Sequence, residues 1–134
     1  MKKSSFLLVT LLTLSQVLAA CGGGGEPVTT IDVDMTEQKF TPDEFSVPAG
    51  AEITLNLTNS GAEYHELTIK VLGSKVGEKF GKDGNSTEYW TVTANSGDTK
   101  TVKFTAPSEP GKYVIECGMP GHFQAGMVAT LYVK

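Results

Sequence analysis

The sequence predicts an all-β fold, an antiparallel β-sandwich of about seven or eight short strands. From Val28 onward, apolar and polar residues alternate in short runs, which is the period of a β-strand. Gly, Pro and Asn separate these runs, and no run has the period of a convincing amphipathic helix. Short strands divided by turns in this way indicate two packed sheets.

The first four strands are predicted at residues 30–35, 45–47, 52–58 and 64–71. The core-facing row of the fourth strand is expected to hold His65, Leu67, Ile69 and Val71. Its other face, expected to meet solvent, holds Glu66, Thr68 and Lys70. A histidine therefore begins a row of core residues.

The remaining strands are predicted at residues 88–93, 99–105, 112–117 and 127–133. Residues 72–87 show no period, and we expect a long loop with a short helical turn at residues 75–80. Cys117 ends one inward row and Met127 begins another, so the segment between them must cross one end of the sandwich. If those strands neighbour the one that begins with His65, all of these side chains meet at one pole.

Length and charge fit one domain that does not bind nucleic acid. The chain has 134 residues and a net charge of −4, with eleven lysines and no basic run. Nucleic-acid binding requires clustered cations, which this sequence lacks.

The N-terminus has the features of an export signal, predicted to be residues 1–20. Two lysines follow Met1, and residues 6–18 form an apolar stretch of signal-peptide length. The stretch ends in Leu-Ala-Ala-Cys, which resembles the bacterial lipobox, so we expect Cys21 to be lipid-modified. The alternative is an ordinary cleaved signal with an incidental cysteine. Removing Lys2 and Lys3 with the signal would change the net charge from −4 to −6.

Residues 21–28 are predicted to be a tether, and residues 29–134 the folded domain. Four consecutive glycines favour a flexible chain that lets the domain swivel above a membrane. With Cys21 lipidated, Cys117 is the one thiol left in the folded part, so no internal disulfide is expected.

The segment from Cys117 to Met127 carries a thiol, an imidazole and a thioether, and is predicted to form most of a metal site. Thiolate and thioether favour copper, and two histidines with one cysteine and a distant methionine make a blue-copper electron-transfer centre. The segment supplies His122, and the only other histidine is His65. Taken singly, each residue is more simply a core or surface residue. Their joint placement favours the metal site, with Met119 a second candidate thioether.

The chain resembles the cupredoxins, the plastocyanin and azurin family of small blue-copper proteins. The resemblance runs from about Phe40 to Lys134 and is most specific in residues 113–117, 121–122 and 125–127. Four residues separate Cys117 from His122, and four separate His122 from Met127. This spacing is similar to that of the auracyanins, which are membrane-associated members of the family.

The resemblance implies a Greek-key sandwich that binds one copper ion and carries electrons without catalysing a reaction. Cys117, His65 and His122 would be equatorial ligands and Met127 the axial one. The family often has asparagine after the first histidine, where this chain has Glu66. That departure bears on the hydrogen bonds around the cysteine sulfur. A less favoured alternative takes an oxygen ligand from Glu63 or Glu66, as in red-copper relatives.

Electrons are expected to pass through the edge of His122, flanked by Met119, Pro120 and Phe123. An apolar patch of this kind suits brief encounters with redox partners, such as a cytochrome, an oxidase, a reductase or a photosynthetic complex. Phe123 has an equally weighted alternative as a plug in the core. The protein is expected to be a monomer, exported and lipid-anchored, facing the periplasm or another extracytoplasmic space.

Four functions follow from these features, in decreasing order of support. The first is a lipid-tethered blue-copper electron carrier. The second is a copper-binding chaperone or storage lipoprotein, which the cysteine disfavours. A metal-free adhesive or structural sandwich would leave the cluster as coincidence. An enzyme is least favoured, because four protein ligands leave no open coordination position.

Overall fold

The computed structural model describes residues 24–134 as two facing β-sheets. The predicted signal peptide and Cys21 lie outside the described residues. The strands are β1 (Thr30–Thr36), β2 (Lys39–Thr41), β3 (Glu44–Val47), β4 (Glu52–Asn59), β5 (His65–Lys70), β6 (Glu88–Ala94), β7 (Thr99–Thr105), β8 (Gly111–Glu116) and β9 (Val128–Val133). Within these residues, no helix is long and apolar enough to span a membrane.

The predicted sandwich is confirmed, with nine strands in place of seven or eight. One sheet has the order β2-β1-β4-β7 and the other β3-β9-β8-β5-β6. The additional strand is β2, which is only three residues long and pairs with the end of β1. Its single apolar residue, Phe40, is fully buried, but three residues are too few to show a period.

The sheets are mixed, which corrects the purely antiparallel arrangement predicted. β1 runs parallel to β4, and β3 runs parallel to β9; the other pairs are antiparallel. Parallel neighbours arise because the chain crosses repeatedly between the two sheets. Strand periodicity shows which residues face inward and carries no information about the direction of the neighbouring strand.

The core forms where the inner rows of the two sheets meet. Its fully buried side chains include Phe40, Met35, Ile53, Leu55, Leu57, Ile69 and Leu131. Trp90 covers one side of this core and stacks on Phe104, with ring centroids 4.7 Å apart. The alternation read from the sequence therefore identified the inner faces of most strands.

The outer face of β5 is covered, contrary to the prediction that it meets solvent. Thr68 and Lys70 are 3% and 2% exposed. The segment of residues 71–87, here called the flap, folds back over this face and is fastened at its base by Val71 N–H donating to the carbonyl of Thr87 (2.8 Å). The predicted outer row was wrong because the flap, which directly follows β5, folds back and excludes water from it.

The flap also lacks the helical turn predicted at residues 75–80. A β-turn stands there, with Glu78 N–H donating to the carbonyl of Lys75 (3.2 Å). Gly77 has a φ of +76°, a left-handed conformation that ends any right-handed helical path. Phe80 and Ser86 then form an isolated antiparallel bridge.

The described end of the glycine tether contacts the domain. Lys134 Nζ donates to the carbonyls of Gly24 (3.3 Å) and Gly25 (2.8 Å). Val28 N–H donates to the carbonyl of Ser46 (2.9 Å). These contacts lie at the C-terminal end of β9, whereas the Cys117 to Met127 loop lies at its N-terminal end.

Candidate metal centre

Three donor side chains meet at one pole of the sandwich. His65 begins β5, Cys117 follows β8, and His122 lies in the loop that leads to β9. β8 lies between β5 and β9 in the sheet, so its C-terminal end is next to the start of both neighbours. The topology therefore places three residues distant in sequence side by side.

The donor atoms are close enough to share one ion. His65 Nδ1 lies 3.2 Å from His122 Nδ1, and Cys117 Sγ lies 3.4 Å from His122 Nδ1 and 4.0 Å from His65 Nδ1. Zinc, an ion of similar size to copper, binds nitrogen at about 2.0 Å and sulfur at about 2.3 Å, so its donors lie within roughly 4.3 Å of one another. The measured separations satisfy that limit.

Burial of this cluster favours a bound cation. His65 and Cys117 are fully buried, and His122 is 9% exposed. Polar groups buried this completely need a compensating partner. A thiol and two imidazoles, each presenting a lone pair to one point, form a donor set that suits a soft or borderline metal ion.

Met127 is also in place beside the cluster. Its side chain is fully buried, and its backbone is fixed on both sides. Cys117 N–H donates to the carbonyl of Met127 (3.1 Å), and Met127 N–H donates to the carbonyl of His122 (3.0 Å). The loop is thus closed by hydrogen bonds that join three of the four predicted ligands.

Burial is the main cause of the pKa shifts of His65 and Cys117. Burial lowers the pKa of His65, and the neighbouring His122 lowers it further, so the His65 imidazole is neutral and able to bind a metal. Burial raises the pKa of the Cys117 thiol, while the backbone N–H groups of Glu66 and Met119 oppose that effect. A bound cation supplies the charge that the Cys117 thiolate needs.

Glu66 supports the sulfur through its backbone. Its N–H donates to Cys117 Sγ at 3.4 Å. The sulfur therefore keeps a hydrogen bond even though this position holds glutamate and not the expected asparagine. Among the described residues, the group able to hold a metal contains His65, Cys117 and His122, without a carboxylate. The alternative oxygen ligand from Glu63 or Glu66 therefore has no support in this geometry.

Asn59 is a supporting residue that the sequence interpretation missed. It is fully buried, and its Nδ2 donates to the carbonyls of Glu63 (2.7 Å) and Ala94 (3.0 Å). Its Oδ1 accepts from Gly61 N–H (3.0 Å). These bonds fix the turn that leads into His65. The sequence showed only an Asn-Ser-Gly turn, which gives no sign that the asparagine points inward.

The surface around His122 differs in part from the predicted apolar patch. Pro120 is exposed, Met119 is half-buried against the core, and Phe123 is half-buried. Glu63 adds a charge, since its carboxylate lies 3.0 Å from His122 Nε2. The edge of His122 is therefore bordered by both apolar and acidic groups.

Phe123 packs against the flap. A Cβ built on Gly77 would lie 2.7 Å from Phe123 Cε2, so the ring leaves room for glycine alone. This contact joins the Cys117 to Met127 loop to the flap. Phe123 is half-buried against the flap and is not among the described residues that form or cover the core, so the predicted alternative of a core plug is wrong.

Gly77→Ala is expected to destabilise the protein by about 2–3 kcal/mol, from left-handed backbone strain plus a steric clash with Phe123. Gly73→Ala is the matched control, because Gly73 has a φ of +82° and no atom within 4 Å of the added Cβ. It should cost only about 1–2 kcal/mol, from the backbone strain alone. Urea unfolding measures both losses, and equal losses would show that Phe123 does not pack on Gly77.

Comparison with known proteins identifies the family. A model of the cupredoxin-like domain family matches residues 5–129. Auracyanin-A from Chloroflexus aurantiacus is 30% identical over 145 residues, covering 87% of this chain and 89% of the relative. Auracyanin-B from the same organism is 46% identical over 44 residues, covering 33% of this chain and 18% of that protein.

Solved structures give the same result. A dithionite-reduced auracyanin from Roseiflexus castenholzii has a TM-score of 0.68 and 29% identity, covering 81% of this chain and 99% of that one. Auracyanin A, described as a "blue" copper protein from Chloroflexus aurantiacus, has a TM-score of 0.61 and 25% identity, covering 81% of this chain and all of that one. The family match extends further towards the N-terminus than the resemblance from Phe40. The chain belongs to the cupredoxin family and is similar to auracyanins.

Proposed function

We propose that this protein is a membrane-tethered type 1 copper protein that carries single electrons between redox partners outside the cytoplasmic membrane. One observation supports this above all: a buried thiol and two imidazoles meet within 4.8 Å at the pole where Met127 is also buried. His65, Cys117 and His122 would hold one copper ion, with Met127 as the axial ligand. When bound, copper supplies a one-electron Cu(I)/Cu(II) couple.

The residues around the site favour electron transfer over catalysis or copper delivery. His65, Cys117 and Met127 lie at or next to neighbouring strand ends, and hydrogen bonds within the loop hold His122 in place. His65, Cys117 and Met127 are fully buried, which restricts the ligand exchange that a copper chaperone or store requires. Four protein ligands leave no open position for a substrate.

His122 provides the route for electrons. It is the outermost of the four residues, and its ring lies between the buried cluster and the surface that carries Pro120. We propose that transient redox partners dock on this surface, with Met119 and Phe123 at its half-buried margin. A small contact area permits fast dissociation after each transfer.

The tether contacts suit this role. Gly24 and Gly25 bind Lys134 at the far end of β9 from Met127. Six residues of strand at about 3.3 Å each separate the two ends by roughly 20 Å. If Cys21 carries the lipid, the membrane lies near the Lys134 end and the His122 surface points away from it, towards partners in the extracytoplasmic space.

Adding Cu(II) to the purified soluble domain tests the proposal. We expect one equivalent to bind and an intense visible sulfur-to-copper charge-transfer band to develop. A colourless product, or no binding, would refute the blue-copper assignment.

A separate experiment tests the lipid anchor at Cys21. We expect globomycin to block processing of the exported protein, and we expect Cys21→Ala to lose its association with the membrane.

Met127→Leu is expected to keep the visible band and raise the reduction potential by tens of millivolts. Leucine fills the buried space of methionine, so the strand and the other three ligands stay in place. Loss of the thioether removes a weak donor that stabilises the more highly charged Cu(II). Redox titration followed at the visible band measures the change, and an unchanged potential would contradict the axial role of Met127.

A further inference from the structure

The outer nitrogen of His122 is held by a carboxylate. Glu63 Oε2 lies 3.0 Å from His122 Nε2, on the side of the ring opposite to Nδ1. Nδ1 faces Cys117 Sγ at 3.4 Å. In the neutral imidazole one ring nitrogen carries the proton and the other has the lone pair. Donation from Nε2–H to Glu63 therefore leaves the lone pair on Nδ1, directed into the cluster.

Glu63 is placed for this contact by its backbone. The carbonyl of Glu63 accepts from the fully buried Asn59 Nδ2 at 2.7 Å, and Asn59 is itself bonded to Gly61 N–H and to the carbonyl of Ala94. The Glu63 side chain is 57% exposed, so it fills no gap in the core. The turn therefore defines the position of Glu63, and removal of the Glu63 side chain is expected to leave the core packing unchanged.

His65 differs from His122 in this respect. Its Nε2 is buried, and no described residue accepts a hydrogen bond from it. A carboxylate on the outer nitrogen fixes the tautomer and ring orientation of a ligating histidine and increases its basicity. Among the described residues, a carboxylate therefore supports the outer nitrogen of His122, and none supports that of His65.

We propose that Glu63 is a positioning residue for the metal site, which orients His122 through Nε2 and strengthens Nδ1 as a donor to the oxidised ion. The inference rests on the proposed copper function. Glu63, on the exposed and acidic side of the His122 surface, thereby helps to set the reduction potential. A negative charge next to a ligand stabilises Cu(II) more than Cu(I), so Glu63 holds the potential down.

Competition titrations with the full soluble domain measure how Glu63 affects the affinity for Cu(II). Glu63→Ala is expected to weaken Cu(II) binding by roughly 10–100-fold, the usual loss when such a partner is removed. Each tenfold loss of Cu(II) affinity relative to Cu(I) raises the potential by about 59 mV for a one-electron couple. Glu63→Gln keeps an acceptor oxygen but loses the charge, and should give a smaller rise.

Glu37→Gln is the matched control, since it removes one carboxylate charge near the same pole, and the glutamine oxygen can still accept the Ala62 N–H that Glu37 Oε1 accepts now. If Glu63 acts through its bond to His122, Glu37→Gln should change the potential much less than Glu63→Ala. Equal shifts would overturn the proposal in favour of a general field effect. An unchanged affinity and potential in Glu63→Ala would overturn it outright.

The metal-free protein offers a second readout. NMR of the wild type and of Glu37→Gln should show a protected Nε2–H proton on His122, which Glu63→Ala loses to exchange with water. The thermal midpoints of the metal-free variants should match, whereas a purely structural role would lower that of Glu63→Ala. If the wild type gives no visible band with Cu(II), the proposed function fails; a protected Nε2–H would still support the contact with Glu63.

Discussion

Cys117→Ser is expected to abolish the intense visible absorption of the copper-loaded protein while leaving its fold intact. The band requires charge transfer from a thiolate sulfur, and a hydroxyl oxygen is neither soft nor ionised at neutral pH. The serine Oγ can accept the Glu66 N–H that now reaches Sγ, so the buried hydroxyl keeps a partner. The cost to the metal-free protein should therefore be limited to about 1–2 kcal/mol.

Absorption spectra after addition of one equivalent of Cu(II) measure the effect, with far-ultraviolet circular dichroism to show that the sheets persist. Among the described residues Cys117 is the single free cysteine, so no other thiol there can replace it. A visible band that survived the substitution would refute the ligand assignment. A variant that failed to fold would be replaced by Cys117→Ala, which tests the same bond without a buried hydroxyl.

The ligands were predictable because the residue types are rare in this chain. Two histidines and, outside the predicted lipid anchor, one cysteine leave few ways to build such a site. Strand alternation then placed His65 and Cys117 on inner faces, and this local signal is independent of the rest of the fold. Composition and period together were enough to nominate the site.

The missed features depend on tertiary contacts, which the local sequence pattern does not indicate. The Glu63 contact with His122 spans a turn and a separate loop, and no local pattern indicates it. The flap buries the outer face of β5, whereas the strand pattern predicted that Thr68 and Lys70 face solvent. The parallel pairing of β1 with β4 is likewise set by the order in which the chain visits the two sheets. The period of a single strand carries no information about that order.

Lys70→Met is expected to destabilise the protein by about 3–5 kcal/mol, the usual cost of leaving one member of a buried ion pair alone. Lys70 Nζ lies 3.1 Å from Glu116 Oε1, and the two side chains are 3% and 6% exposed. Glu116 Oε2 also accepts from Gly77 N–H at 2.6 Å, so the pair fastens the flap to β5 and β8. Without the lysine, the carboxylate would stay buried with one hydrogen bond.

The double variant Lys70→Met with Glu116→Gln separates the pair from the space it fills. It removes both charges, and the glutamine oxygen can still accept the Gly77 N–H, so it should recover much of the lost stability. Lys103→Met is the control, since Lys103 pairs with Glu52 at 2.7 Å but both side chains are more than half exposed. Its loss should stay below about 1 kcal/mol. Urea unfolding of the metal-free proteins gives all three values.

The same pair links stability to the metal site, because Glu116 immediately precedes Cys117 and the flap contacts Phe123 through Gly77. Loosening the flap in Lys70→Met should expose the outer face of β5 before the sandwich itself opens. Hydrogen exchange would then rise first at the amides of Val71, which donates to the carbonyl of Thr87 at the base of the flap, and of Thr87, which donates to the carbonyl of Lys79 (3.1 Å). Exchange rising equally in β4 and β7 would show that the pair stabilises the whole sandwich and has no specific role in holding the flap.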